Sequence, residues 1–310
     1  MNNLAIETKD LTKRYGDITV VDHLNFHVKE NEVFGLLGPN GAGKTTTILM
    51  LLGLTEPAAG TARVFDYNPF KEALKVKSIV GYLPEEVGFY DSLTARENLR
   101  FIAELNNISP DETERRIDET LEMVGLTEER DMVTGKFSRG MRQRLGIADV
   151  LIKQPKLVIL DEPTSGLDPM GINQLLDVIA SLPAKGTSVL LSSHQLHQVQ
   201  RVCHRVGILS KGKMVVEGAI EELGRQTLTG GRYLIEVETA EPRAELPDII
   251  KKLEGVEKIE VNGNVMKIST GADLRSQISR AIIESGALLV QMKVHEFSLD
   301  DIYMKYFQES

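Results

Sequence analysis

The chain has 310 residues, 42% hydrophobic and 26% charged, an ordinary globular composition over a length that suggests roughly two domains and excludes general disorder. Lys and Arg number 36 against 45 Asp and Glu, and the net charge of -9 disfavours a polyphosphate backbone, so no nucleic-acid partner is expected. The single cysteine, Cys203, cannot close an internal disulfide, and nothing argues for an oxidising compartment.

The N-terminal residues lack a basic segment followed by an apolar run, so a cytoplasmic chain is expected. Apolar stretches such as Ile48–Leu54 and Val189–Leu191 fall far short of a membrane span, which leaves any membrane role to a partner. From Leu4 to about Leu223, β-branched runs alternate with amphipathic helical stretches, and this predicts an α/β domain with a largely parallel sheet. Glu32–Gly38, Lys156–Asp161 and Ser188–Ser193 are compact, nearly all-apolar runs that read as fully buried strands. Between about Glu85 and Phe137 the pattern turns helical and charged. Helices are predicted over Thr94–Asn106 and Asp111–Val124, as an inserted helical lobe at about 86–137.

Gly224–Gly231, with its Thr-Leu-Thr-Gly-Gly run, reads as a linker between a domain at 1–223 and a smaller one at 232–310. The smaller domain is predicted to run strand Tyr233–Glu238, helix Pro247–Glu254, hairpin Val256–Val261 with Val265–Ser269, helix Asp273–Ser285 and strand Ala287–Val294. That β-α-β-β-α-β order is the ferredoxin-like, α+β arrangement. Ser298 is positioned to cap a last helix whose Leu299, Ile302, Tyr303 and Tyr306 share one face, expected to pack on its own domain.

The chemistry concentrates in short segments. Gly38-Pro39-Asn40-Gly41-Ala42-Gly43-Lys44-Thr45 fits G-x-x-x-x-G-K-S/T between a strand and a helix. Its glycines let backbone N–H groups curl around phosphate oxygens, Lys44 reaches the terminal phosphates, and the Thr45 hydroxyl is suited to Mg²⁺. Asp161 and Glu162 end the buried strand at 156–161, on the edge where open α/β sheets keep their ligand sites. There Asp161 is suited to the magnesium shell through water, and Glu162 to polarising an attacking water. Ser138 and Gly140 stand at a further helix start, a second anion-binding terminus that a single phosphate loop does not explain. His194 ends the strand at 188–193. A metal site of His194, His197, Cys203 and His204 matches no established ligand spacing.

This ordered set resembles the nucleotide-binding subunit of an ATP-binding cassette (ABC) transporter over about Leu4–Leu223. The fold implied is a P-loop NTPase cassette with a helical lobe, and the activity ATP hydrolysis with ATP and Mg²⁺. The resemblance implies that Tyr15 stacks on adenine and that Gly38 to Thr46, the last being Thr46 itself, form the Walker A loop. It makes Ser138 to Met141 the signature, Leu157 to Glu162 the Walker B strand, Ser165 to Asp168 the D-loop and His194 the switch histidine. Two ATP molecules would then lie in a head-to-tail homodimer, each held by Lys44 of one copy and by Ser138, Gly140 and Asp168 of the other. The implied catalytic set is Glu162, His194 and Lys44, and the metal set Thr45, Glu85 and Asp161.

Two departures stand out. Phe137, Arg139 and Met141 replace three residues of the usual Leu-Ser-Gly-Gly-Gln, and Glu85 stands where a Gln normally follows Pro84. Gly81–Glu86 with Leu93–Leu99 resembles the drug, sodium and polysaccharide exporter branch, including the daunorubicin-resistance type, which implies an integral-membrane permease partner and a place on the inner face of the membrane. Gly81–Phe101 also resembles the ATPase of nitrous-oxide-reductase copper-centre maturation. A soluble ABC ATPase of DNA repair or translation is the rival class, although its usual second cassette, coiled-coil insertion or zinc module is missing from the sequence.

Overall fold

The computed structural model describes residues 3–294 and 299–308, and its contacts divide between Gly218 and Ala219 into two compact units. The first opens with β1 (Leu4–Tyr15), β2 (Ile18–Lys29), β3 (Val33–Leu37), α1 (Lys44–Leu51), β4 (Ala59–Val64), α2 (Ala73–Ile79) and β5 (Val80–Leu83). The helical lobe follows as α3 (Ala95–Leu105), α4 (Pro110–Met123) and the start of α5 (Arg139–Leu151). The unit then closes with β6 (Leu157–Asp161), α6 (Pro169–Ser181), β7 (Ser188–Ser193), α7 (Leu196–Gln200), β8 (Arg205–Ser210) and β9 (Lys213–Ala219).

A six-stranded sheet runs in the order β5-β6-β7-β3-β8-β9, with β5, β6, β7, β3 and β8 in parallel register. Every residue of β3, β6 and β7 is buried, because helices or a second sheet cover both faces of these central strands. The register pairs Leu37 with Ser193 and Asp161 with Ser192. The ends of three adjacent parallel strands therefore deliver Gly38, Asp161, Glu162 and His194 to one sheet edge.

The expected α/β architecture is present, but the sequence reading resolved only one sheet. Residues 4–64 also form a separate antiparallel sheet, β2-β1-β4, whose long strands carry register shifts near Asp10 and His23, both at positive φ. It packs on the parallel sheet through a core in which the Phe26 and Phe34 rings stack 5.7 Å apart, alongside Ile48, Leu51 and Ile159. In the lobe, Thr94 and Glu97 form a reciprocal capping box that starts α3.

The second unit comprises α8 (Ile220–Thr229), β10 (Tyr233–Thr239), α9 (Leu246–Lys251), β11 (Val256–Asn262), β12 (Val265–Thr270), α10 (Arg275–Glu284), β13 (Leu289–Val294) and α11 (Leu299–Gln308). The expected β-α-β-β-α-β order is found within it, as an antiparallel sheet in the order β11-β12-β10-β13. Ile235, Val237, Met266 and Ile268 alternate along β10 and β12 and pack with Ile250, Ile278 and Ile282 of the helices, giving this unit its own core.

The expected linker at 224–231 is corrected. Ile220–Thr229 is helical because Ile220 and Leu223 are buried, and Gly230, at φ 64, ends the helix as a left-handed C-cap. Leu299 and Ile302 of α11 are fully buried, with α8 as a neighbour. The proposed Ser298 cap lies outside the described residues.

Candidate nucleotide site

The loop from Gly38 to Gly43 carries the chain from β3 into α1. Gly43 is the helix N-cap at φ 103, a conformation closed to most side chains, and a Cβ there would stand 2.8 Å from the Val20 carbonyl oxygen. Within the loop the Ala42 N–H donates to the Pro39 carbonyl at 3.1 Å, while Asn40 and Gly41 are exposed. Lys44, only 6% exposed, folds its side chain back into the loop. Its Nζ donates to the Gly38 carbonyl at 2.8 Å and the Pro39 carbonyl at 3.4 Å, and lies 3.2 Å from Glu162 Oε1. Thr45 is exposed, its hydroxyl has no partner among the described residues, and Thr46 is half-buried.

The carboxylates at the end of β6 are held by β7. Ser192 Oγ donates to Asp161 Oδ1 at 2.5 Å and accepts the Glu162 N–H at 3.1 Å, and the Ser192 carbonyl lies 3.2 Å from the same N–H. These contacts hold Glu162 at φ 49, a left-handed conformation uncommon for a side chain of its kind. The side chain, 7% exposed, accepts at Oε2 from the His194 N–H at 3.4 Å, and His194 Nδ1 lies 2.8 Å from that oxygen. Glu162 Oε1 is buried, makes no hydrogen bond of regular geometry among the described residues, and faces the Lys44 ammonium at 3.2 Å. Beside them, burial and then the Asp161 charge push the Tyr82 phenol up to about 12.

Lys44, Asp161, Glu162 and His194 thus form one connected cluster. The remaining sequence-predicted residues sit apart from it in their contacts. Ser138 is exposed and caps α5, its Oγ accepting the Met141 N–H at 3.2 Å, and Gly140 follows in the first turn. Asp168 caps α6 by accepting the Gly171 N–H at 3.0 Å. Glu85 is exposed and accepts from the Ser165 hydroxyl at 3.4 Å. Tyr15, 51% exposed at the end of β1, has the Lys13 ammonium 4.9 Å from its ring centroid.

One residue, Ser192, and the contacts of two named ones, Ser165 and Arg139, escaped the sequence reading. Ser192 was hidden in an apolar strand, although two polar residues closing such a strand are a usable signal. Ser165 reaches Glu85 across 80 positions, and no local pattern marks that contact. Arg139, read only as a departure from the signature, lies over Gly166: at φ 70, a Cβ on that glycine would stand 2.3 Å from Arg139 Nη1.

Comparison with known proteins decides the family. The family model described as ABC transporter matches residues 21–165. The bacitracin transport ATP-binding protein BcrA of Bacillus licheniformis is 37% identical over 302 residues, covering 97% of this chain and 96% of that protein. The chain belongs to the ABC transporter ATP-binding family.

The linearmycin resistance ATP-binding protein LnrL of Bacillus subtilis is another such relative of this ABC protein, 33% identical over 303 residues with 96% and 97% of the two chains covered. Among solved structures, one described as the ATP binding subunit of an ABC transporter is 35% identical, with a TM-score of 0.66 over 72% of this chain and 92% of that one. The MJ0796 cassette, solved as a dimer in a post-hydrolysis state with ADP and Pi, shares the fold at 23% identity and a TM-score of 0.63, covering 69% and 98%. The chain is therefore the ATP-binding subunit of an ABC transporter and an ATPase whose hydrolysis is coupled to transport. Among the described residues, no helix is long and apolar enough to cross a membrane.

Proposed function

We propose that this ABC subunit energises an exporter by closing and reopening a head-to-tail homodimer around two ATP molecules, on the cytoplasmic face of a separate membrane permease. The observation that carries the reading is the Lys44–Glu162–His194 cluster at the ends of adjacent parallel strands, together with a separate helix start at which Ser138 is exposed. Relatives described by bacitracin transport, linearmycin resistance and Nod factor export match 86% to 97% of the chain, which favours export over DNA repair or translation. None of those descriptions mentions copper-centre maturation. The order of the second unit's strands supports reading it as a ferredoxin-like accessory domain.

The roles follow from the contacts. Backbone N–H groups of Asn40, Gly41, Ala42, Gly43, Lys44, Thr45 and Thr46 line the triphosphate, Gly38 and Pro39 shape the loop that presents them, and the start of α1 adds its positive end. Lys44, already turned into the loop, exchanges carbonyl partners for phosphate oxygens. Tyr15 offers its exposed ring to adenine. The residues present fit Mg²⁺: the Thr45 hydroxyl is free, Asp161 is anchored by Ser192, and Glu85 adds an oxygen, a hard and incomplete donor set of the kind that leaves room for waters and phosphate. Bound there, the metal would neutralise charge on the phosphates.

Glu162, freed of Lys44 as that ammonium turns to the phosphates, orients the attacking water as its oxygen bonds to the γ-phosphorus and the bond to the bridging oxygen breaks. His194 holds the carboxylate through Nδ1 and turns its other ring nitrogen toward the γ-phosphate. Ser138, Gly140 and Asp168 of the second copy complete the site, and release of phosphate removes the charge that joined them. The helical lobe passes this motion to the permease.

The test is nucleotide binding by the purified chain. Lys44→Ala is expected to weaken Mg-ATP binding at least tenfold and to abolish phosphate release, since a charge-assisted contact of this kind is worth about 1.5 to 3 kcal/mol. Unchanged binding would reject the site.

A further inference from the structure

The first two turns of α5 carry three arginines, and two of them serve their own lobe. Arg142 pairs with Asp91 at 2.6 Å, and Arg144 donates to the Val124 and Gly125 carbonyls at 3.0 and 2.9 Å. Arg139, exposed at the first helical position, has neither an acid nor a carbonyl partner among the described residues. The positive end of a helix disfavours a cation there, so the stability of α5 does not account for it.

Its guanidinium lies on the loop that follows Glu162. A Cβ built on Gly166 would stand 2.3, 2.4 and 2.7 Å from Arg139 Nη1, Cζ and Nε, and distances so similar set the flat face of the group against the glycine. Gly166 also turns the chain at φ 70, and a side chain there would displace the arginine. The same two segments meet again one residue further on, where a Cβ on Gly140 would be 3.9 Å from Leu167 Cδ2, an ordinary contact. The loop in turn is tied to the end of β6. The Ser165 N–H donates to the Glu162 carbonyl at 3.1 Å, and Pro163 and Thr164 between them are buried. On its other side the Ser165 hydroxyl donates to Glu85 at 3.4 Å. Both departures from the usual motifs, Arg139 and Glu85, therefore touch neighbouring residues of this one loop.

We propose that Arg139 is a positioning residue that couples the two ATP sites of the dimer. The inference rests on the head-to-tail reading above, in which Ser138 meets the phosphate held by the other copy. Movement of that helix start is passed by Arg139 to Gly166, and through the buried Pro163 and Thr164 to Glu162 of its own site. Filling one site thereby sets the water-orienting carboxylate of the other, and the two ATP molecules are hydrolysed cooperatively. The contact is one of shape and planarity, with no ion pair in it.

The experiment measures phosphate release against ATP concentration with the purified full chain. The parent is expected to give a Hill coefficient of about 1.5 to 2, two sites setting the upper limit. Arg139→Ala is expected to bring it to about 1 and to lower kcat several-fold, while ATP binding by the single copy stays within twofold. Arg139→Lys keeps the charge without the plane and should restore little of either. Gly166→Asn tolerates a left-handed backbone but fills the seat of the guanidinium, so it should reproduce the Arg139→Ala result and add nothing when the two are combined. A parent coefficient of 1, or parent kinetics in Arg139→Ala, overturns the inference. Full rescue by Arg139→Lys, or ATP-driven dimerisation of Glu162→Gln weakened at least tenfold by Arg139→Ala, would make Arg139 a phosphate ligand and also overturn it. If Glu162→Gln alone stays monomeric with Mg-ATP, the dimer reading itself has failed and this inference falls with it.

Discussion

At the ends of β3, β6 and β7 the polar groups are buried and bonded to one another, with Lys44 on the loop carbonyls, Asp161 on Ser192 and Glu162 on His194. At the start of α5, Ser138 is exposed and, among the described residues, its side chain bonds only to its own helix. Both regions are anion-binding by construction, one through a glycine loop and one through a capped helix terminus. They differ in completeness. The first gathers the Lys44, Asp161, Glu162 and His194 side chains into one cluster, whereas the second has a cap and a helix start with no such cluster around it among the described residues. In the proposed mechanism such a half-site acquires a function when a second copy supplies the phosphate, and this difference would tie hydrolysis to association.

The largest effect expected from breaking the comparison is at the buried half. Glu162→Gln keeps the size and removes the base, so phosphate release should fall on the order of 10² to 10⁴-fold while nucleotide affinity stays within a few-fold. A variant that still turns over at the parent rate would remove Glu162 from the mechanism.

Breaking the exposed half should act more gently and in a different way. With Ser138→Ala, turnover should drop roughly tenfold or more through one lost charge-assisted hydrogen bond, with ATP affinity of the single copy unchanged. The same change removes the α5 cap, worth about 1 kcal/mol, so a small fall in melting temperature is expected. Ser138→Thr retains a capping hydroxyl and should recover most of the stability and turnover. Equal loss of ATP binding in Ser138→Ala would mean that the two halves are not separate.

The effect of least consequence for turnover concerns pH and lies outside both halves. Asp149 in the folded chain titrates near 6, above the roughly 3.9 of an unfolded Asp, so the folded state holds the proton more tightly. The stability gained from that bound proton is complete below about pH 4 and is lost as pH rises through 6, amounting to at most about 3 kcal/mol. Asp149→Asn does not titrate. Its melting temperature relative to the parent should therefore rise between pH 4.5 and pH 8, and a difference that is flat with pH would contradict the burial of this acid.

Much of the site was legible because the chemistry fixes it along the chain. The phosphate loop needs its glycines and lysine at set spacings between a strand and a helix, and the acidic pair needs the end of a buried strand. The contacts of Ser192 and Ser165 were not legible, because they meet Asp161 and Glu85 only after parallel strands and long connections bring distant positions together. The antiparallel sheet was obscured for a local reason. Asp10 and His23 take positive φ at register shifts, which breaks the alternation that marks a half-buried strand. The Gly230-Gly231 pair was visible, but it stops α8 and does not open a flexible linker.

The most direct measurement of ATP-driven association is the mass of Glu162→Gln by light scattering, with and without saturating Mg-ATP. The expected result is a shift from a species near 34.4 kDa to one of about twice that mass, reversed when Ser138→Arg is added. A Glu162→Gln chain that binds ATP yet keeps the monomer mass, alone and beside its membrane subunit, would contradict the account.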